Sequence, residues 1–342
     1  MPRKERGVSL VGIIFVFIAF LVMAISIQNL NSTNIAFIKN LTDENHISSD
    51  SEINDVRESD SRKNVVDSFF YDQIGEGPKI MYDTILANID TLKAGSGTID
   101  FPTNDVLTDN DFQTAWDAFK LDHPEVFYVD TSQLSLVTQK TSYVFFNKVT
   151  YKYSISEKEG GYYIGSFKTK EDLDDAIMAV DSVTNSIKAG ATGSRYNQIK
   201  YVHDWIVDHA EYNKGSEDTD DSIYGILVKK KAVCEGYANT FKYLMDELNI
   251  PCVIVYGNAT NSTGETEAHA WNYVQLENGN WYAIDVTWDD PIIYGGGSLT
   301  DESKYKYFLV GSDSLEGNHV EDHDVSGTGQ NFNYPNLTKE NY

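Results

Sequence analysis

From Val8 to Ile27, twenty consecutive residues carry no charge. At about 1.5 Å per residue such a run reaches roughly 30 Å, enough to cross a bilayer core. Residues 1–7 form a basic tail containing Pro2-Arg3-Lys4-Glu5-Arg6, a flank that stays cytoplasmic and sends everything after Ile27 outside. The length favours a retained anchor over 8–27, because the apolar core of a cleaved signal spans about 7 to 15 residues. Ala24-Ile25-Ser26 keeps cleavage, and hence secretion, open. Residues 28–64 read as a disordered stalk, since Leu41 to Asn64 is rich in Asp, Glu, Ser and Asn and has no sustained apolar period.

From 65 to 190 the pattern predicts a small α+β module. Helices are expected over 65–73, 78–93 and 109–121, and strands over 125–129, 142–154 and 162–167, where Val, Tyr and Phe concentrate. Thr169, with Asp172 three residues on, predicts a capped helix running to Lys188. His123, in Asp122-His123-Pro124-Glu125, reads as a helix-to-strand corner. A second α+β domain is expected over 191–342. It opens with an amphipathic helix, Arg195 to Tyr212, whose His203 and His209 are six apart and do not share a face, so both read as structural. Glu217 to Asp221 reads as a solvated acidic loop.

Composition narrows the function. Against 27 basic side chains stand 52 acidic ones, a formal net charge of −25, which repels phosphate backbones and argues against nucleic-acid binding. Hydrophobic residues make up 41%, enough for a packed core. Only two cysteines occur, Cys234 and Cys252, too few for a disulfide scaffold or a thiolate zinc site. The helix between them separates their ends by roughly 20 Å, whereas a disulfide needs Cα atoms within about 7 Å. Cys252 therefore reads as a core residue of the strand 252–256.

Cys234 opens a predicted helix, because Tyr237, Phe241, Leu244, Met245 and Leu248 recur at helical spacing behind it. Unpaired N–H groups and the positive dipole end favour a thiolate there, and Lys229-Lys230-Lys231 adds positive potential, so a depressed thiol pKa is expected. Downstream, Glu267 to Val274 and Trp281 to Trp288 flank Asn278-Gly279, a hairpin signal. A two-residue turn would put His269 and Asp285 on opposite faces. A three-residue loop, with Gly279 left-handed in a bulge, pairs 276 with 280 and makes them same-face diagonal neighbours. The bulged register is the expectation. Cysteine, histidine and aspartate then supply nucleophile, general base and orienting carboxylate, with the Cys234 N–H available to an oxyanion.

Ala232-Val233-Cys234-Glu235-Gly236-Tyr237-Ala238, Ala268-His269-Ala270-Trp271-Asn272 and Ile284-Asp285-Val286-Thr287-Trp288-Asp289 resemble the three core motifs of the transglutaminase-like superfamily in its bacterial branch. Tyr307-Phe308-Leu309, His319 and Tyr334-Pro335 resemble its closing segment, and the stretch around His123 is similar to a module that often precedes it. The resemblance implies a papain-like α+β fold over 191–342, with a cysteine-bearing helix packed on an antiparallel sheet. It also implies catalytic roles for Cys234, His269 and Asp285. The expected function is thiol acyl transfer on amide bonds of proteins or peptides at the cell surface, as transglutaminase or cysteine protease/amidase, without cofactor or metal. The alternative is a catalytically idle wall-organising or binding module on the same fold. Gly295-Gly296-Gly297 lacks the Lys-Ser/Thr of a phosphate loop, and His319 to His323 does not place its glutamate in either zincin order.

Overall fold

Side-chain caps fix where several helices begin. The computed structural model describes residues 68–342 except 104, 144–147, 159, 160, 214, 216, 291–299, 316 and 328. The expected tail, anchor and stalk, and Gly295-Gly296-Gly297, lie outside the described residues. Among those described, no helix is long and apolar enough to cross a membrane.

The first stretch holds α1 (Glu76–Ala87), α2 (Ile89–Lys93), β1 (Thr98–Phe101), α3 (Asp109–Asp122), β2 (Leu134–Tyr143) and β3 (Lys148–Glu157), followed by α4 (Lys170–Gly190). Thr108 and Asp111 form a capping box for α3, as Thr169 and Asp172 do for α4. The single helix expected over 78–93 is two, because the Asn88 side chain donates to the Thr84 carbonyl at 2.8 Å and the backbone leaves the helical region there. Residues 71–73 form only a 3₁₀ turn; the Asp122 carboxylate accepts the N–H groups of Phe70 and Tyr71 instead. The strand expected over 142–154 is part of a hairpin, β2 against β3, with β1 on the outer side of β3. Most of β2 is exposed, so no apolar alternation marked it in the sequence. Residues 125–129 and 162–167 are loops joined by one bridge, Val129 to Tyr163. Their aromatic residues Tyr128, Tyr162 and Phe167 fill the core from irregular backbone.

Next come α5 (Arg195–His209), β4 (Glu211–Tyr212), β5 (Lys231–Ala232) and α6 (Cys234–Glu247), then β6 (Cys252–Thr260), β7 (Thr266–Gln275), β8 (Trp281–Ile284) and β9 (His319–Glu321). The helix expected to reach Tyr212 stops at His209, since Glu211 and Tyr212 pair in parallel with Lys231 and Ala232. Strand order in the main sheet is β8-β7-β6-β9, antiparallel throughout. Tyr237, Phe241, Leu244 and Met245 of α6 are buried together with Cys252, Val274 and Ile284 of the sheet and with Ile199, Val202 and Ile206 of α5. This is the α+β arrangement of a cysteine-bearing helix on an antiparallel sheet. A second cluster joins Phe70 and Phe119 to Val253, Val255, Trp271 and Tyr273, so buried side chains run continuously from the first stretch into the sheet.

Candidate active site

The chain around Cys234 is held by backbone rather than by the acidic side chains' solvation. Thr219 and Asp220, expected in a solvated loop, are buried. The Asp220 carboxylate accepts from Asn213 Nδ2 at 2.8 Å and from the Glu217 N–H at 3.0 Å, and its carbonyl accepts the Val233 N–H at 2.9 Å. Val233 is the N-cap of α6, in extended conformation, so Cys234 occupies the first helical position. Its own N–H is among those a helix start leaves without an intrahelical partner. Gly236 is required here: a Cβ would fall against the Asp220 carbonyl oxygen and lie 2.6 Å from the Ala232 Cβ.

The lysines before Cys234 are partly engaged elsewhere. Lys230 Nζ lies 4.3 Å from the centroid of the Trp205 ring and donates to the Leu227 carbonyl, and burial lowers its pKa. Lys229 Nζ sits over Tyr224. Both cysteines are free; Cys234 is partly exposed and Cys252 is buried, which pushes the Cys252 thiol well up.

The hairpin adopts the three-residue register. Gln275 pairs with Trp281 and Asn272 with Ile284, the Leu276 N–H donates to the Asn280 carbonyl, and Gly279 has φ +80°. β8 ends at Ile284, earlier than its aromatic run suggested, because Asp285 Oδ1 accepts the Trp288 N–H at 3.1 Å and closes a turn. That turn leaves Asp285 Oδ2 2.8 Å from His269 Nε2. The Cys234 thiol is near enough to the His269 ring to help raise its pKa. With Nε2 committed to the carboxylate, Nδ1 is the nitrogen left for sulfur. The structure thus brings all three sequence-derived residues together in one line of contacts.

Electrostatics follow from burial and pairing. Burial opposes charge on His269, yet the Asp285 charge and hydrogen bond, with the Cys234 contact, raise its pKa to about 10. Burial alone would push the Asp285 carboxyl up; the charge and hydrogen bond of His269, then the bond from His319, hold it below the usual carboxylate range.

His319, singled out in the sequence only as part of the closing segment, also reaches Asp285. Its Nε2 lies 3.0 Å from the same Asp285 Oδ2, reached from β9 by pairing of His319 with Ala259 while Gly257 pairs with His269. His269, Asp285 and His319 lie within 4.8 Å of one another, a spacing also found around metal ions. Both Nε2 atoms lie within hydrogen-bond distance of one carboxylate oxygen, Asp285 Oδ2. Gly257 makes room for the cluster, since a Cβ would meet the Val320 carbonyl and the Trp271 ring.

His203, His209 and His123 sit where structural histidines were expected. His203 is fully buried and bridges Asp204 and Asp289, both at 3.1 Å, and Asp289 Oδ1 accepts the Tyr307 N–H. This braces the turn that carries Asp285. His209 donates to the Trp205 carbonyl, and His123 pairs with Glu125.

Residues 181–286 match the family model described as transglutaminase-like superfamily. The chain is 28% identical over 146 residues to kyphoscoliosis peptidase of Mus musculus, covering 38% of this chain and 21% of that protein. It is 29% identical over 108 residues to the Homo sapiens protein of that name, covering 28% of this chain and 16% of the relative. The match thus spans about a fifth or less of these relatives' length. Among solved structures, a TGase is 16% identical with TM-score 0.31, covering 62% of this chain and 55% of its own. A putative cysteine protease from Cytophaga hutchinsonii is 16% identical with TM-score 0.26, covering 47% and 68%.

Proposed function

Residues 181–286 belong to the transglutaminase-like superfamily, and from that premise we propose that the chain is a thiol acyl-transfer enzyme acting on amide bonds of proteins or peptides. The observation that carries the reading is the His269–Asp285 pair, 2.8 Å apart, with the Cys234 thiol at the start of α6 near enough to the same ring to raise its pKa. Cys234 Sγ attacks the carbonyl carbon while its proton passes to His269 Nδ1. The C–N bond breaks as the imidazolium returns that proton to the departing amine or ammonia, leaving a thioester on Cys234. An incoming amine or water, deprotonated by His269, releases the acyl group as a crosslink or an acid. Asp285 fixes the ring tautomer and stabilises the imidazolium, and the N–H at the start of α6 donates to the oxyanion.

The basic tail and uncharged run support a cell-surface location, with the catalytic part outside the membrane. Protection of the chain from protease in intact cells would contradict that placement.

The test of function incubates the chain, wild type and Cys234→Ala, with a glutamine-containing protein and a labelled amine. Label or new fragments produced by wild type alone are expected, label marking transfer and fragments marking hydrolysis. Equal turnover by Cys234→Ala would contradict the reading.

A further inference from the structure

Asp285 serves two imidazoles, and the second has no part in the line of contacts just described. We propose that His319 is a positioning residue that donates its Nε2 proton to Asp285 and thereby holds the carboxylate ionised and turned toward His269. This deepens the acyl-transfer reading and rests on it.

Three observations carry the assignment. First, the donor geometry is complete. Asp285 Oδ1 takes the Trp288 N–H, and Oδ2 takes both Nε2 groups, at 2.8 Å from His269 and 3.0 Å from His319. An ionised carboxylate only accepts, so His319 Nε2 carries a proton. Second, the ring has little freedom to do anything else. Its side chain is wholly buried, with ring centroids 4.7 Å from Trp288, 4.9 Å from Trp271 and 5.4 Å from Tyr307. Its Nδ1 lies 2.8 Å from Asn318 Oδ1, and the Asn318 amide reaches the Tyr307 hydroxyl at 3.4 Å. Third, space filling does not explain the residue type. A phenyl ring would fill the same aromatic slot without two polar nitrogens that burial obliges the fold to satisfy.

Consequences for protonation follow from the groups facing Asp285. These are His269 from β7, His319 from β9 and Asp289 from the same turn, itself held by His203 of α5; Cys234 of α6 acts through His269. Hydrogen bonds to a charged carboxylate favour the charged form. Loss of the His319 donor therefore raises the pH below which Asp285 protonates and releases His269.

The experiment measures the second-order rate of Cys234 alkylation by iodoacetamide from pH 4 to 9, on the full chain, for wild type, His319→Gln, His319→Asn and His319→Phe. Glutamine keeps an N–H of nearly the right reach, asparagine is polar but too short, and phenylalanine fills the space without a donor. The expected result is that His319→Gln follows wild type, while the other two lose about tenfold in rate across the profile, because the carboxylate is no longer held toward His269. A His319→Phe profile lying on wild type, or equal displacement of the glutamine and phenylalanine variants, would overturn the proposal. Should the phenylalanine variant lose its near-UV circular dichroism, glutamine against asparagine decides, and coincidence of those two also overturns it. A wild-type Cys234 no faster than Cys252 would instead sink the acyl-transfer reading itself.

Discussion

Asp285 is 1% exposed and accepts three hydrogen bonds, so its charge is both desolvated and fully partnered. Replacing it by asparagine keeps the shape and removes the charge that sustains the imidazolium. Asp285→Asn should lower kcat on the order of 10³-fold or more, with little change in KM. The same pairing makes a prediction about stability. In a Cys234→Ala background His269 still faces Asp285, and its folded pKa lies above the unfolded value of about 6.5. The folded state then binds the proton more tightly. The stabilisation is complete below the unfolded pKa and is lost as pH rises through the folded value, which Asp285 still raises. Stability measured by denaturant should fall between those limits by at most about 1.4 kcal/mol per pH unit, and His269→Gln should flatten the slope. At this scale Cys234, His269 and Asp285 were legible because helix start, hairpin register and residue type agreed. His319 was legible only as part of a closing segment; its contact with Asp285 was not, because that depends on pairing between β9 and β6, across about sixty intervening residues, which local patterns do not encode.

Two elements aim the site, and each turns on a glycine. Gly279 takes φ +80° in the bulged loop that sets the β7–β8 register. A side chain there costs about 1 to 2 kcal/mol in left-handed backbone, and a shift of one residue would turn Asp285 to the other face. Gly279→Val should therefore lower stability by that amount and activity by far more, checked by denaturation and turnover on the same preparation. Gly236 lets the first turn of α6 sit against the Asp220 carbonyl. Gly236→Ala should destabilise by about 1 to 3 kcal/mol through overpacking and slow alkylation of Cys234. Capped helices such as α3 and α4 were readable to within a few residues, since Thr108 and Thr169 mark their starts. The β2–β3 hairpin was harder, because an exposed strand has no buried face to produce alternation. The loops at 125–129 and 162–167 misled in the opposite sense: their buried aromatic residues imitate strands while their backbones pair at a single bridge.

Across the whole molecule, buried side chains join the first stretch to the four-stranded sheet. Phe70 lies 5.3 Å from Phe332 and 6.2 Å from Tyr334, and Tyr334 lies 6.3 Å from Tyr273 of β7. That packing was not legible in sequence, which divides the chain at a helix end and contains no record of which aromatic residues meet. The charge was legible. A net −25 should attract cationic acceptors over a distance set by ionic strength. For a lysine-rich acceptor, kcat/KM should fall several-fold as salt is raised from about 20 to 300 mM, and for a glutamate-rich one it should rise. The central claim, that His269 activates Cys234 for attack, is tested most directly by iodoacetamide alkylation at pH 7 followed by intact-protein and peptide mass spectrometry. Wild type should be modified at Cys234 well before Cys252, and His269→Ala should slow Cys234 by at least tenfold while leaving Cys252 unchanged. Equal rates at the two cysteines, or a Cys234 rate indifferent to His269→Ala, would contradict it.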